Sequence, residues 1–162
     1  TNHFEVVIDL SALDLEGSGD ALSDHIRMSA KSIAAPKVSA DSLELRHGND
    51  IVKVAKSPSF EDLQVTLYDT LCRDQIHVLQ SWFDRVFNHE TKLMGMVSQY
   101  KTNAVLYMYS PDCSVIRKWI LQGVWPKAYG VTSEFSFENS DAQNVSMTLS
   151  VDRYWEEKEK GL

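Results

Sequence analysis

An antiparallel β-sandwich or barrel of about eight strands with one flanking α-helix is the fold the sequence predicts, as a single domain over residues 1–162. Three observations lead there. Short segments along most of the chain alternate apolar and polar residues with period two, as half-buried strands do. One stretch changes to the three- and four-residue spacing of a helix. Between these segments lie turn formers such as Ser57-Pro58-Ser59 and Ser110-Pro111-Asp112.

His3 to Leu10 reads as a strand, with Phe4, Val6, Ile8 and Leu10 on one face and His3, Glu5 and Asp9 on the other. Leu15 to Asp20 is a glycine-containing connection, longer than needed for a tight turn, and His25 to Ile33 reads as a second strand. Leu43–Arg46 and Ile51–Val54 flank His47-Gly48-Asn49-Asp50, where Gly-Asn supports the positive φ of a hairpin turn. This hairpin, residues 42–56, is rich in charge and short of large apolar residues, so it is expected to project from the core. Leu63–Tyr68 resumes strand alternation. Ile76, Leu79, Trp82, Phe83, Val86 and Phe87 then predict an amphipathic helix over residues 71–88, with Asp69 or Thr70 as cap. Phe83 is placed in the core, where replacement by Ala costs about 3–5 kcal/mol.

Ala104–Tyr109 and Val115–Leu121 read as hairpin partners, the second ending at Gly123-Val124-Trp125-Pro126, where Trp119 and Trp125 brace a bend. Val131–Phe137 and Val145–Val151 alternate again around Asn139-Ser140-Asp141. Phe135, Phe137, Val145, Met147, Leu149 and Val151 are expected to pack on the helix stripe. Residues 156–162 form a charged, frayed end.

Composition narrows the function. The chain carries 23 acidic and 16 basic side chains, a formal charge of -7. That balance disfavours adhesion to phosphate backbones and suits a passage through which nucleic acid slides. Apolar runs are a few residues long, far below the ~20 that span a bilayer. No basic-then-apolar leader opens the sequence, which points to the cytoplasm or a particle assembled there. Cys72 and Cys113 are too few for a zinc or redox motif and are expected to be free thiols, a disulfide being the other possibility.

Motifs for chemistry are missing. The five histidines, His3, His25, His47, His77 and His89, are scattered, without metal-ligand spacing. No nucleophile elbow, phosphate loop or dinucleotide fingerprint occurs. Catalytic, cofactor-binding and metal-binding residues are therefore not expected, and neither is enzymatic activity. The polar rows Thr132, Glu134, Ser136 and Asn144, Ser146, Thr148, Ser150 suit a solvated sheet face or the smooth wall of a channel equally well.

At Gly123-Val124-Trp125-Pro126 the chain resembles the tail-tube proteins of contractile-tailed bacteriophages, whose Gly-Leu-Trp-Pro segment is followed by two alternating strands and an Asp-Tyr-Trp. Here the same order is Gly123, Trp125 and Pro126, the strands Val131–Phe137 and Val145–Val151, then Asp152, Tyr154 and Trp155. Ser59-Phe60-Glu61-Asp62-Leu63-Gln64-Val65-Thr66-Leu67 is similar to the family's strand before the helix. Arg153, inserted before Tyr154, and the long Gly17–Asp20 loop depart from the pattern.

The resemblance implies six copies closing into a ring, their inner sheets making a β-barrel lumen. Rings would stack into a virion tail tube, assembled in the host cytoplasm within a sheath and on a baseplate, and DNA would pass through the lumen without specific binding. Thr132, Glu134, Ser136, Ser146 and Thr148 are the lumen-face candidates. Leu43, Leu45, Arg46, Ile51 and Lys53 are candidates for an inter-subunit arm. A baseplate tube initiator, the tube of an injection system or bacteriocin, and a type VI secretion ring share the architecture. A small β-barrel holding one apolar ligand is a more distant reading, and the crowding of Phe, Trp and Met speaks against an internal cavity.

Overall fold

The computed structural model describes residues 3–13, 15, 19–69, 75–132 and 143–157. β1 (His3–Ile8) buries Val6 and Ile8, as its alternation predicts. The chain then departs from expectation. Where a strand was expected from His25, α1 (Gly19–Ser29) runs on to Ser29, and only Ala30–Ile33 is extended, as β2. Leu22, Ile26 and Ser29 stand three and four apart, and that helical face wins over a weak period-two pattern. Ile26 is fully buried, and Ser29 Oγ donates to the His25 carbonyl at 2.6 Å, closing the last turn. Arg27 Nε meets Glu5 Oε1 at 3.2 Å and holds α1 to β1.

β3 (Val38–His47) and β4 (Asp50–Phe60) form a hairpin on a two-residue turn, Gly48 taking φ +64°. β5 (Leu63–Tyr68) buries Leu63, Val65 and Leu67. α2 (Gln75–Val86) is the expected amphipathic helix; its predicted start and cap at residues 70–74 lie outside the described residues. A single turn, α3 (Val97–Tyr100), follows. β6 (Thr102–Tyr109), β7 (Val115–Val131), β8 (Asn144–Ser150) and β9 (Arg153–Glu157) complete the chain. Among the described residues there are thus nine strands and three helical segments, against about eight and one expected.

Strand order is β1-β6-β7-β8-β5-β2, with β9 on the other side of β7. β7 is long enough to belong to two sheets. Its first part pairs with β6 and β9, and its last part with β8. The sequence suggested an end at Gly123–Pro126; the strand bends there and continues. The path ends at β1 and β2, so the sheet does not close into a barrel within one chain. Both sheets feed one core, in which Leu106 and Leu121 meet Leu67, Val145, Met147 and Leu149. β9 extends to Glu157, carrying paired structure into the end that was expected to fray.

Trp82 is the pivot of α2. It is fully buried, and its indole Nε1–H donates to the Tyr100 carbonyl at 2.8 Å. Phe83, expected in the core, is only half-buried and lies on Tyr129 with ring centroids 5.5 Å apart. The stripe is rotated by one position because Val78, Leu79, Trp82 and Val86 face inward. Trp82→Ala should therefore cost about 3–5 kcal/mol in urea unfolding, and Phe83→Ala clearly less. Equal losses would show that the helix is rotated from this placement.

Candidate assembly surfaces

Gly123 stands at the bend of β7 with φ +68°, a region that favours glycine. A Cβ there would lie 2.1 Å from Asp152 Oδ2. That close approach brings the chain after β8 against β7: Asp152 N–H donates to the Gln122 carbonyl at 3.0 Å, and Lys101 Nζ reaches both Asp152 carboxylate oxygens at 2.7 Å. Trp125 meets the Tyr100 ring edge-on at 5.8 Å. Pro126 is buried opposite Leu149, and the register shifts between it and Ala128. Proline removes a ladder hydrogen bond, so a bulge is where it fits. Gly123, Trp125 and Pro126 are thus bend chemistry, and Asp152 is its partner.

Tyr154 carries the constraint to the hairpin. It pairs with Leu121, stacks edge-on against Phe60 at 5.0 Å, and its hydroxyl donates to the Lys37 carbonyl. Burial pushes its phenol pKa up, so it remains a donor at neutral pH. Trp155 is exposed beside Ile120, and the inserted Arg153 bonds Gln122 through its Nε at 2.8 Å.

Beyond this anchor the hairpin stands free. Every residue from Val38 to Ser59 is exposed. The register sorts the arm candidates onto two faces. Leu43 pairs with Val54 and Leu45 with Val52, making an aliphatic face exposed between 44% and 52%. Arg46, Ile51 and Lys53 lie on the opposite face, where Lys53 Nζ stands 3.6 Å from Glu44 Oε1. The expectation of a hairpin short of large apolar residues is corrected here. Counting along one strand hid the fact that alternate positions of both strands share a side.

The lumen-face candidates divide. Thr132 is exposed at the end of β7, Ser146 and Thr148 are half-buried on β8, and Glu134 and Ser136 lie outside the described residues, with Phe135 and Phe137. Pairing adds residues that the sequence reading missed. Ala128, Thr148 and Gln64 form one row; Gly130, Ser146, Thr66 and Ser32 form another. Thr148 Oγ1 donates to Gln64 Oε1 at 3.0 Å. Alternation in Leu63–Tyr68 marked Gln64 and Thr66 as outward, but only the register places them beside β8. None of these seven side chains is ionised. At the margin Lys31 Nζ bonds Asn144 Oδ1 at 3.3 Å and lies 5.1 Å from the centre of the Tyr68 ring.

Other reactive groups lie apart from these surfaces. His77 sits with Gln80, Ser81 and Asp84 in an open polar cleft on the outer side of α2. Cys113, in the β6–β7 turn, is an exposed free thiol, and Cys72 lies outside the described residues. Among the described residues no helix is long and apolar enough to cross a membrane.

A family model described as T4-like virus tail tube protein gp19 matches residues 1–155. No match was found among curated proteins. Among solved structures, the chain is similar to a component of the sheath-tube complex of the extracellular contractile injection system PVC in its extended state. The TM-score is 0.68 at 13% identity, over 96% of this chain and 88% of that one. It is also similar to a chain of the 6-fold symmetrised anti-feeding prophage baseplate, with TM-score 0.62 and 15% identity over 79% and 80% of the two chains. Hcp1 from Salmonella typhimurium gives TM-score 0.52 and 14% identity over 93% and 83%. At such identities these structures establish the shared fold.

The bend can be tested directly. Gly123→Ala should cost about 1–3 kcal/mol from backbone strain alone, and more from the Asp152 clash. Combining it with Asp152→Ala relieves the clash, so the double variant should be less destabilised than the two single losses added together. Strict additivity in urea unfolding would mean that the two residues do not meet.

Proposed function

The chain belongs to the family of T4-like virus tail tube proteins, and from that premise we propose that it is a passive structural subunit, six copies closing into a ring and rings stacking into a tube that conducts DNA. The observation that carries this reading is the sheet β7-β8-β5-β2. One of its faces is sealed in the core, and the other presents Gly, Ala, Ser, Thr and Gln over several strands. Such a face offers short side chains and no cation, so a phosphate backbone finds nothing to grip. An open sheet path with ends at β1 and β2 supports completion by neighbours, because uncovered strand edges invite pairing. Six-fold closure is supported by the symmetry printed for the similar baseplate, and a surrounding sheath by the similar sheath-tube complex. The tube is assembled in the host cytoplasm and joined to sheath and baseplate there. Catalysis has no part in this role.

A second reading keeps the tube and changes the cargo. The neutrality of the described inner-face candidates suits a protein cargo as well as DNA, as in an injection system or a secretion ring. Nucleic acid recovered from nuclease-treated native particles separates the two.

Purified chain at high concentration should give rings of six in electron microscopy and a six-chain species in sedimentation. A solitary chain at every concentration and ionic strength would overturn the reading. In a DNA-filled particle, Thr148→Arg should leave the tubes intact and slow genome release, because a ring of cations would line the passage. Unchanged release with intact tubes would remove this face from the lumen.

A further inference from the structure

Large exposed apolar side chains gather at two places on the described surface. One is the hairpin face Leu43, Leu45, Val52 and Val54. The other is a short segment after α2, where Leu93, Met94, Met96 and Val97 are between 57% and 76% exposed. This second patch is held stiffly. Asn88 N–H donates to the Leu93 carbonyl at 3.0 Å, Lys92 N–H to Asn88 at 2.9 Å, and Gly95 N–H to Val86 at 3.0 Å. Met96 N–H donates to Gln99 Oε1 at 2.9 Å. A Cβ on Gly95 would lie 1.9 Å from the Arg85 carbonyl oxygen, so the segment is pressed against the end of α2. Its backbone bonds turn inward while its apolar side chains face water. An ordered receptor loses little further entropy on binding.

We propose that the segment Leu93–Val97 is the docking site for the aliphatic hairpin face of a second copy of this chain. The proposal rests on the tube reading and deepens it by naming which surfaces join. Four features of the two patches fit one another. Neither carries a charge at its centre: the segment reads Leu-Met-Gly-Met-Val, and the hairpin keeps Glu44, Arg46 and Lys53 on its other face. Unbranched methionines adapt to the ridges of a Leu/Val surface. Each copy supplies one of each patch, so pairing them covers both on every copy that has neighbours, whatever the length of the assembly. The hairpin also has reach. Tied only at its base through Tyr154, its ten-residue strand Val38–His47 extends roughly 30 Å from the core. Since the two patches differ, the contact is heterologous and propagates from copy to copy, as a ring or a stack requires.

Two chains lacking their native thiols, each with Cys72→Ser and Cys113→Ser, provide the test. One also carries Leu45→Cys, the other Met94→Cys. Assembled together and treated with a short bismaleimide, the mixture should give a covalent dimer that neither protein gives alone. Met94→Glu should abolish tubes while leaving the thermal midpoint of the chain unchanged, because the side chain is exposed. Normal tubes with no mixed dimer, or with dimers from either protein alone, would overturn the docking site and leave the tube reading standing. So would normal tubes from Met94→Glu. Parent chain that forms neither ring nor tube would overturn both.

Discussion

One backbone conformation holds this protein together: the positive φ of Gly123, which lets a single strand serve two sheets. β7 leaves one sheet and enters the other within a few residues. No side chain fits at the turning point, because Asp152 occupies the place a Cβ would take. The carboxylate that fills the space also binds Lys101, which stands between α3 and β6. Downstream, Tyr154 follows Asp152 into the ladder on β7 and fastens the hairpin base. Bend, helix end and arm are therefore coupled through residues a few positions apart. Segments far apart in sequence converge there, which explains in physical terms why Gly-x-Trp-Pro and Asp-x-Tyr-Trp occur together in one chain.

The hairpin poses the opposite problem. Two strands alone are marginal in water, and these two expose an aliphatic face. Its surface ion pair between Glu44 and Lys53 contributes little, at most about 1 kcal/mol. The backbone ladder and the anchor at Phe60 and Tyr154 order the base, while the outer half has no intramolecular cover. Such an element makes physical sense as half of an interface. The folded monomer then carries surfaces whose apolar burial is completed only on association.

Most strands were legible in the sequence because burial on one side imposes period two, as in Leu63–Tyr68 and Val145–Val151. The core list drawn from Val145, Met147 and Leu149 holds for the same reason. α1 was not legible as a helix. Its apolar residues are few, and the competing pattern from His25 to Ile33 is settled by contacts of Ile26 and Arg27 with residues far away in sequence. β7 was cut short because Gly and Pro signal an ending, whereas tertiary pairing with β8 carries the strand past both. Of the candidate surfaces, the residue types on β8 could be read directly. Their companions Gln64, Ala128 and Gly130 needed the register, as did the shared face of Leu43, Leu45, Val52 and Val54. The Leu93–Val97 segment was invisible as a surface, since an apolar pentapeptide after a helix ordinarily reads as buried.

Net charge and surface chemistry then separate in an informative way. The chain is acidic as a whole, yet the described rows of the β7-β8-β5-β2 outer face hold no ionised group, and the two aliphatic patches are uncharged as well. Acidity must therefore lie on the remaining surface. Charge there keeps free copies apart and soluble, while association depends on short-range apolar contact between surfaces that charge does not reach. Low adhesion at the inner-face candidates follows from the absence of groups that could bind, and needs no repulsive field. A lining that neither attracts nor repels would pass a polyanion and a neutral polypeptide with similar ease, so one scaffold can serve different cargoes without change at its bend or its core.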